Sequence, residues 1–198
     1  MRAAIEVLGH HGVDGATIPR IAAHAGLTPG AVYRRFRNKD VLLETAILRI
    51  LEDQNSVLRL SFPIEGAVDL PFERLAEQLI NSLVLSYRVN AGLIRAIRQL
   101  LQTAEGTSFW KKASKLEMQS FEYLVDALTQ GNEIKHADPR AAAALALIMV
   151  MGTLWEIVVV PGDAKLWKAL MPKDDRSLKR ELVRSFLSYL GIAQKEGK

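Results

Sequence analysis

Apolar residues recur three and four positions apart through most of this chain, and no sustained alternation of period two appears. Side chains repeat every 3.6 residues on a helix and every second residue on a strand, so the pattern predicts an all-α protein. At 198 residues the chain is long enough to bury a substantial core in one or two domains. Hydrophobic residues at 49% and charged residues at 24% fit a globular protein, whereas a disordered one would be poorer in the first and richer in net charge. The lack of cysteine removes disulfides, thiolate metal sites and cysteine nucleophiles together.

Start and stop signals divide the periodic pattern. A first helix over about 2–11 turns Ile5 and Leu8 inward and ends at Gly12, which can take the left-handed conformation that closes helices. Thr17 is placed to cap a second helix whose apolar face is Ile18, Ile21, Ala22 and Ala25; Pro19 is tolerable there only because it lies in the first turn. Thr28 caps a third helix, with Pro29 at the first position, where a missing N–H costs nothing. A fourth runs from about Lys39 past Leu51, with Val41, Leu42, Ala46, Ile47, Ile50 and Leu51 on its apolar side. The prolines and glycine of "SFPIEGAVDLP" then mark a change of domain, and further helices are predicted at about 71–88, 91–103, 108–130, 138–160 and 175–193. Residues 1–46 are assigned to a three-helix helix-turn-helix domain and residues 47–198 to a larger helical domain.

The stretch "AAAALALIMVMGTLWEIVVV", residues 141–160, tests a membrane reading, since about 20 apolar residues can span a bilayer. A single such stretch, without a flanking cluster of positive charge and in an otherwise ordinary chain, reads instead as a helix buried all round in a large core or in a subunit interface. No membrane partner is expected. The N-terminal "MRAAIEVLGHHG" has Glu6 inside a brief apolar patch and no cleavage signature, so the expected location is the cytoplasm.

The net charge of +4 is modest, but its distribution is uneven. Arg20, Arg34, Arg35, Arg37 and Lys39 occupy a window with no acid between Asp14 and Asp40. A second basic group, Lys165, Lys168, Lys173, Arg176, Lys179, Arg180 and Arg184, is broken by Asp174, Asp175 and Glu181 and reads as a solvated face. The acid-free window coincides with two short capped helices joined through Ala25-Gly26-Leu27, a helix-turn-helix in which the glycine makes the turn and the leucine is expected to pack beneath it.

Residues 28–35 of the third helix span roughly 12 Å, a length that fits a B-DNA major groove about 12 Å wide. Leu27, Val32 and Phe36 are expected to face inward, with Gly30 allowing close approach to the second helix. Pro29, Ala31, Tyr33 and Arg34 then lie on the outer side, where small residues can meet thymine methyls and arginine can bond guanine edges. Thr17, Thr28, Tyr33, Arg35 and Lys39 are of types that bond phosphate oxygens, and Arg20 joins them in the same window.

Taken together, "TIPRIAAHAGLTPGAVYRRFRNKDVLLETAI" resembles the DNA-binding region of TetR-type transcriptional regulators. Thr17, Ile21-Ala22, Ala25-Gly26-Leu27, Gly30, Tyr33, Phe36, Lys39 and Leu42 stand at the family's spacing, and the likeness covers residues 1–50. It implies that Thr17 and Lys39 hold backbone phosphates, that Tyr33 packs on the sugar-phosphate chain, and that Pro29, Ala31 and Arg34 read bases. Pro19, where the family is usually polar, and a brief N-terminal arm depart from its pattern.

One recognition helix reads only a few base pairs, so a homodimer on two half-sites of a double-stranded operator is expected. The resemblance implies that the last two long helices pair with their mates, here those near 141–160 and near 177–190, the latter carrying Leu178, Leu182, Phe186, Leu187 and Leu190. It also implies a small-molecule effector that changes the distance between the heads. Candidate lining residues are Phe109, Trp110, Met118, Phe121, Met149, Met151 and Trp155, with Tyr87, Asn90, Arg95, Arg98 and Gln99 as polar anchors. Arg95 and Arg98 share one helical side and suggest an acidic effector.

No pair among His10, His11, His24 and His136 has a ligand spacing with a carboxylate, and Glu52-Asp53 and Asp174-Asp175 are adjacent rather than facing acids. Without a phosphate loop or nucleophile motif, neither a catalytic site nor a metal or other cofactor is expected. The expectation is a cytoplasmic, homodimeric regulator, a repressor released from DNA by its effector. The alternative is a non-enzymatic helical ligand-binding or scaffold protein with a degenerate helix-turn-helix.

Overall fold

A computed structural model describes residues 1–62, 71–131, 133–160, 171–172 and 174–192. Among them the chain is all-helical, without strands: α1 (Arg2–Gly15), α2 (Ile18–His24), α3 (Pro29–Tyr33), α4 (Lys39–Ser61), α5 (Phe72–Thr103), α6 (Ser108–Leu128), α7 (Pro139–Leu154) with a following π-helical turn (Trp155–Val159), and α8 (Asp175–Tyr189). Most of the domain-change stretch, residues 63–70, lies outside the described residues, as do Lys165, Lys168, Lys173 and the last residue of the predicted final helix.

The predicted boundaries hold where a local cap sets them. Gly12 breaks α1 with φ 66° and ψ −175°, and the chain adds one further turn to Gly15. The helices expected at 71–88 and 91–103 are a single element interrupted at Asn90, whose φ of −110° and ψ of 17° leave the helical range. Asp138 and Asp174 cap α7 and α8, their carboxylates accepting from Ala141 N at 2.9 Å and Ser177 N at 2.8 Å.

The chain divides into two compact units, Met1–Leu58 with Asn90–Ser120, and Arg59–Val89 with the chain from Phe121 onward. In the first, Leu8 of α1, Ile21 of α2, Val32 of α3 and Leu43 and Ile47 of α4 share one apolar cluster with Leu93 and Ile97 of α5 and Phe109 and Ala113 of α6. Short helices bury little by themselves, and the later helices supply the missing side of this core. A polar clasp adds direction: Asn55 Nδ2 donates to the Leu116 carbonyl at 3.0 Å, and Ser120 Oγ donates to Asn55 Oδ1 at 2.7 Å. Val41, expected on the apolar side of α4, is 39% exposed instead, because the core side of this turn is taken by Leu42 and Leu43, which are buried.

In the second unit, Tyr123 O–H donates to the Phe62 carbonyl at 2.7 Å while the Arg59 guanidinium lies 4.5 Å from the Tyr123 ring centroid, fixing the end of α4 to α6. Arg140 pairs with Asp126, and Arg88 donates to Asp175 at 2.8 Å. The segment Pro139–Val159 is long and apolar enough to cross a membrane by length and composition, yet it is a partly buried core helix. Burial all round is not what the fold gives it: Ala143, Ala146, Leu147, Val150 and Leu154 are buried, whereas Leu145, Ile148 and Met149 are 46%, 55% and 42% exposed. The sequence there is apolar on every side, so nothing in it marks the face the core would leave uncovered.

Candidate nucleic-acid interface

The two short helices are set by their caps. Thr17 and Thr28 are both extended, with φ −83° and ψ near 150°, and each hydroxyl accepts from an amide three residues on: Arg20 N at 3.4 Å and Ala31 N at 3.2 Å. Pro19 and Pro29 fall in the first turns, where no helical hydrogen bond is lost. Between them Gly26 takes φ 67°, a left-handed turn that a residue with a Cβ resists, and Leu27 N returns to the Ala22 carbonyl at 2.9 Å. Leu27 is therefore held by its amide, and its side chain is 54% exposed rather than packed beneath the turn. Ala25 is likewise exposed; Ile18, Ile21, Ala22 and Val32 provide the buried side.

α3 is only five residues long, but Arg34 N and Phe36 N still reach the carbonyls of Gly30 and Val32, so the helical path continues through the arginines. Thr28, Pro29, Gly30, Tyr33, Arg34 and Arg35 are exposed, and Ala31 is half-buried. Gly30 does not serve a close helix approach: a Cβ there would meet only Thr28 Oγ1 at 4.0 Å, because the glycine faces away from α2. Phe36 is half-buried against the core and Arg35 lies over its ring at 5.7 Å.

Arg34, Arg35 and Arg37 are exposed, and among the described residues none has a carboxylate within ion-pair distance. The resulting face carries three exposed guanidiniums without carboxylate partners, in the stretch that follows the small residues Pro29, Gly30 and Ala31. Two predicted residues are tied into the fold. Arg20 donates to the Gly15 carbonyl at 2.7 Å, and half-buried Lys39 donates through Nζ to the Val13 carbonyl at 3.2 Å. Each keeps further N–H donors for an anion. Asn38, which sequence reasoning passed over, accepts from Val41 N at 2.9 Å and so fixes the start of α4 beside this face; an Asn just ahead of an apolar periodic run is the signal that would have found it.

The effector candidates divide between the units. Arg95, Arg98, Gln99, Phe109, Trp110 and Met118 belong to the first, and Tyr87, Phe121 and Trp155 to the second. Phe109, 4% exposed, is a core residue of the first unit, and Trp110 packs against the same core; Met118 is 55% exposed. The core claims Phe109 because it stands where α6 meets the head, a tertiary contact that local spacing does not encode. Arg95, Arg98 and Gln99 are exposed on α5. Glu117 is exposed as a residue, yet desolvation raises its carboxyl above the ordinary value, with the Arg98 charge acting in the opposite direction. Among the described residues no group of three or more histidines and acids is placed to hold a metal ion.

The sequence model of the bacterial regulatory proteins of the tetR family matches residues 1–46. An uncharacterized HTH-type transcriptional regulator, YezE of Bacillus subtilis (strain 168), is 27% identical over 131 residues, which are 65% of this chain and 68% of that protein. The fold is shared with the transcriptional regulator FadR from Bacillus subtilis, solved in complex with stearoyl-CoA, at a TM-score of 0.62 and 22% identity over 95% of this chain and 96% of that one. SmeT, the repressor of the Stenotrophomonas maltophilia multidrug efflux pump SmeDEF, gives a TM-score of 0.61 and 23% identity over 94% of this chain and 86% of its own.

Proposed function

From the premise that this chain belongs to the tetR family, a class of DNA-binding, non-enzymatic transcriptional regulators, we propose that it is a cytoplasmic repressor that leaves its operator when a small molecule binds. The observation that carries the reading is the exposed, acid-free face of α3 and the turn after it, where Arg34, Arg35 and Arg37 stand without carboxylate partners. Guanidinium forks without acids to neutralise them match phosphate and guanine geometry.

The division of labour follows from position. Arg34, with Pro29, Gly30 and Ala31, reads base edges. Thr17, Arg20, Thr28, Tyr33, Arg35 and Lys39 hold the backbone. Residues 1–46 act as the reading head, and residues 47–198 carry dimerisation and effector binding. The exposed apolar stripe of α7, Leu145, Ile148 and Met149, supports dimerisation, because a soluble chain covers such a surface when a partner is at hand. FadR, with its bound acyl thioester, and SmeT, as a pump repressor, support a ligand-responsive repressor as the working class. Tyr87, Phe121 and Trp155 remain candidates for effector contact in the second unit, and Arg95, Arg98 and Gln99 in the first.

Selection of binders from a random duplex library at fixed moderate salt tests this reading, since DNA affinity depends steeply on salt. A palindromic site that binds two chains supports it. Failure to enrich any sequence, even at low salt, overturns it.

A further inference from the structure

The second unit carries a surface groove of about 880 Å³ between the start of α5 and one side of α8, and none of the residues assigned above to DNA or effector lines it. Pockets of roughly 300–1,000 Å³ suit small molecules. Its cations are Arg74, Arg176, Lys179, Arg180 and Arg184, and its carboxylates are Glu73, Glu77 and Glu181, so the lining has two positive charges in excess. The carboxylates do not quench the cations one for one. Glu77 is engaged by Arg74 at 2.9 Å, and Glu181 is shared by Arg184 at 2.9 Å and Arg180 at 3.7 Å.

Arg176 and Lys179 have no carboxylate within ion-pair distance among the described residues. Of the nearest acids, Asp175 accepts from Arg88, and Asp174 caps α8 through the Ser177 amide while feeling the Arg176 charge only at longer range. Exposed Pro71 and half-buried Val183 add apolar surface to the same groove, above buried Leu187, and Asn81 adds a neutral polar group. Exposed ion pairs by themselves contribute little to stability, so a surplus of arginines lining a groove is not explained by the fold.

We propose that this groove binds a small amphiphilic dianion of the phosphate monoester type, its oxygens held by Arg176, Lys179 and Arg180 and its apolar body laid on Pro71 and Val183. Two excess charges match a dianion, and guanidinium forks match its oxygens. The assignment is independent of DNA binding and stands or falls separately from it.

Titration calorimetry on the full chain tests it, with octyl phosphate below its micelle concentration as the probe, and inorganic phosphate and octyl glucoside as the charge alone and the body alone. The expected result is saturable one-to-one binding of octyl phosphate, with each partial probe about tenfold weaker or worse. Arg176→Gln/Lys179→Gln should weaken octyl phosphate about tenfold or more, the scale of losing one charge-assisted hydrogen bond. The charge-matched control Lys111→Gln/Lys112→Gln, on exposed positions of α6, should leave it unchanged. If the first double variant fails to fold by circular dichroism, Arg176→Gln alone should show a loss in the same direction. Absence of saturable binding, equal losses in both doubles, or binding only to phosphatidylglycerol vesicles and not to the soluble probe would overturn the proposal.

Discussion

Gly92 of α5 lies so close to Gly9 of α1 that a Cβ built on it would stand 2.1 Å from the Gly9 carbonyl oxygen and 3.2 Å from its carbon. Backbone meets backbone there, so no rotamer change can make room. Gly92→Ala should therefore push α1, with Leu8 and its share of the head's core, away from α5, at a cost of about 1–3 kcal/mol. At Gly9 the added Cβ would meet Leu93 Cβ at 3.5 Å, an ordinary contact. Gly9→Ala should be neutral or stabilising by up to about 1 kcal/mol, since alanine favours a helix interior. Urea unfolding of the two variants checks the contrast; equal midpoints would refute it.

Arg34→Ala is expected to relax discrimination at one base position by roughly 1–3 kcal/mol, while Lys39→Ala weakens all sequences alike and lowers the salt slope by about one. Lys39 also donates to the Val13 carbonyl, so its variant should melt lower as well. Binding to the selected site and its single-base changes at several salt concentrations separates the two roles. Losses independent of sequence in both variants would contradict the assignment.

On α7, Ile148 is 55% exposed in the middle of an apolar stripe. Ile148→Glu should leave helicity intact and convert dimers to monomers by sedimentation, with operator affinity falling about a hundredfold or more, because half-site contacts no longer reinforce one another. A variant that remains dimeric would place the interface elsewhere.

The Asp174 carboxyl is held below its ordinary value chiefly by the hydrogen bond from the Ser177 amide. A lowered folded pKa means stability that is fully present above the ordinary aspartate range and disappears as pH falls through the folded value. Asp174→Asn can cap without titrating, so its melting temperature should fall less than that of the parent between neutral pH and about pH 3. Parallel acid profiles for the two proteins would show that the cap does not titrate with folding.

The sequence was most informative where structure is decided within a few residues. Thr17, Thr28 and Pro29 announce helix starts through their own backbone chemistry, and the helices start there; Gly12 breaks α1, which then adds one more turn to Gly15. Faces were harder. α3 has five residues, too few for periodicity to fix which side turns inward, and so Leu27 and Gly30 were assigned to packing while the chain leaves both on the open side. α7 posed the opposite difficulty, being apolar all round. Phe109 could not be read from local spacing, because it is buried in a cluster assembled from α1 to α6 rather than from its own helix alone. The arginines of the candidate interface were legible for a simple reason: the absence of acids between Asp14 and Asp40 is a property of composition that folding does not change.

The apolar cluster that runs from Leu8 and Val32 through Ile97 to Phe109 has an implication for anyone dividing this chain. A fragment ending at residue 46 would carry the caps, the turn and every arginine of the reading face, yet would leave the undersides of Leu43 and Ile47 open to water or cut away. Such a piece would be sticky and partly unfolded, and a chimera that transplants it onto a foreign body would need a surrogate for Leu93, Ile97 and Phe109. The smallest portable reader is thus a discontinuous one, stitched from two stretches of chain.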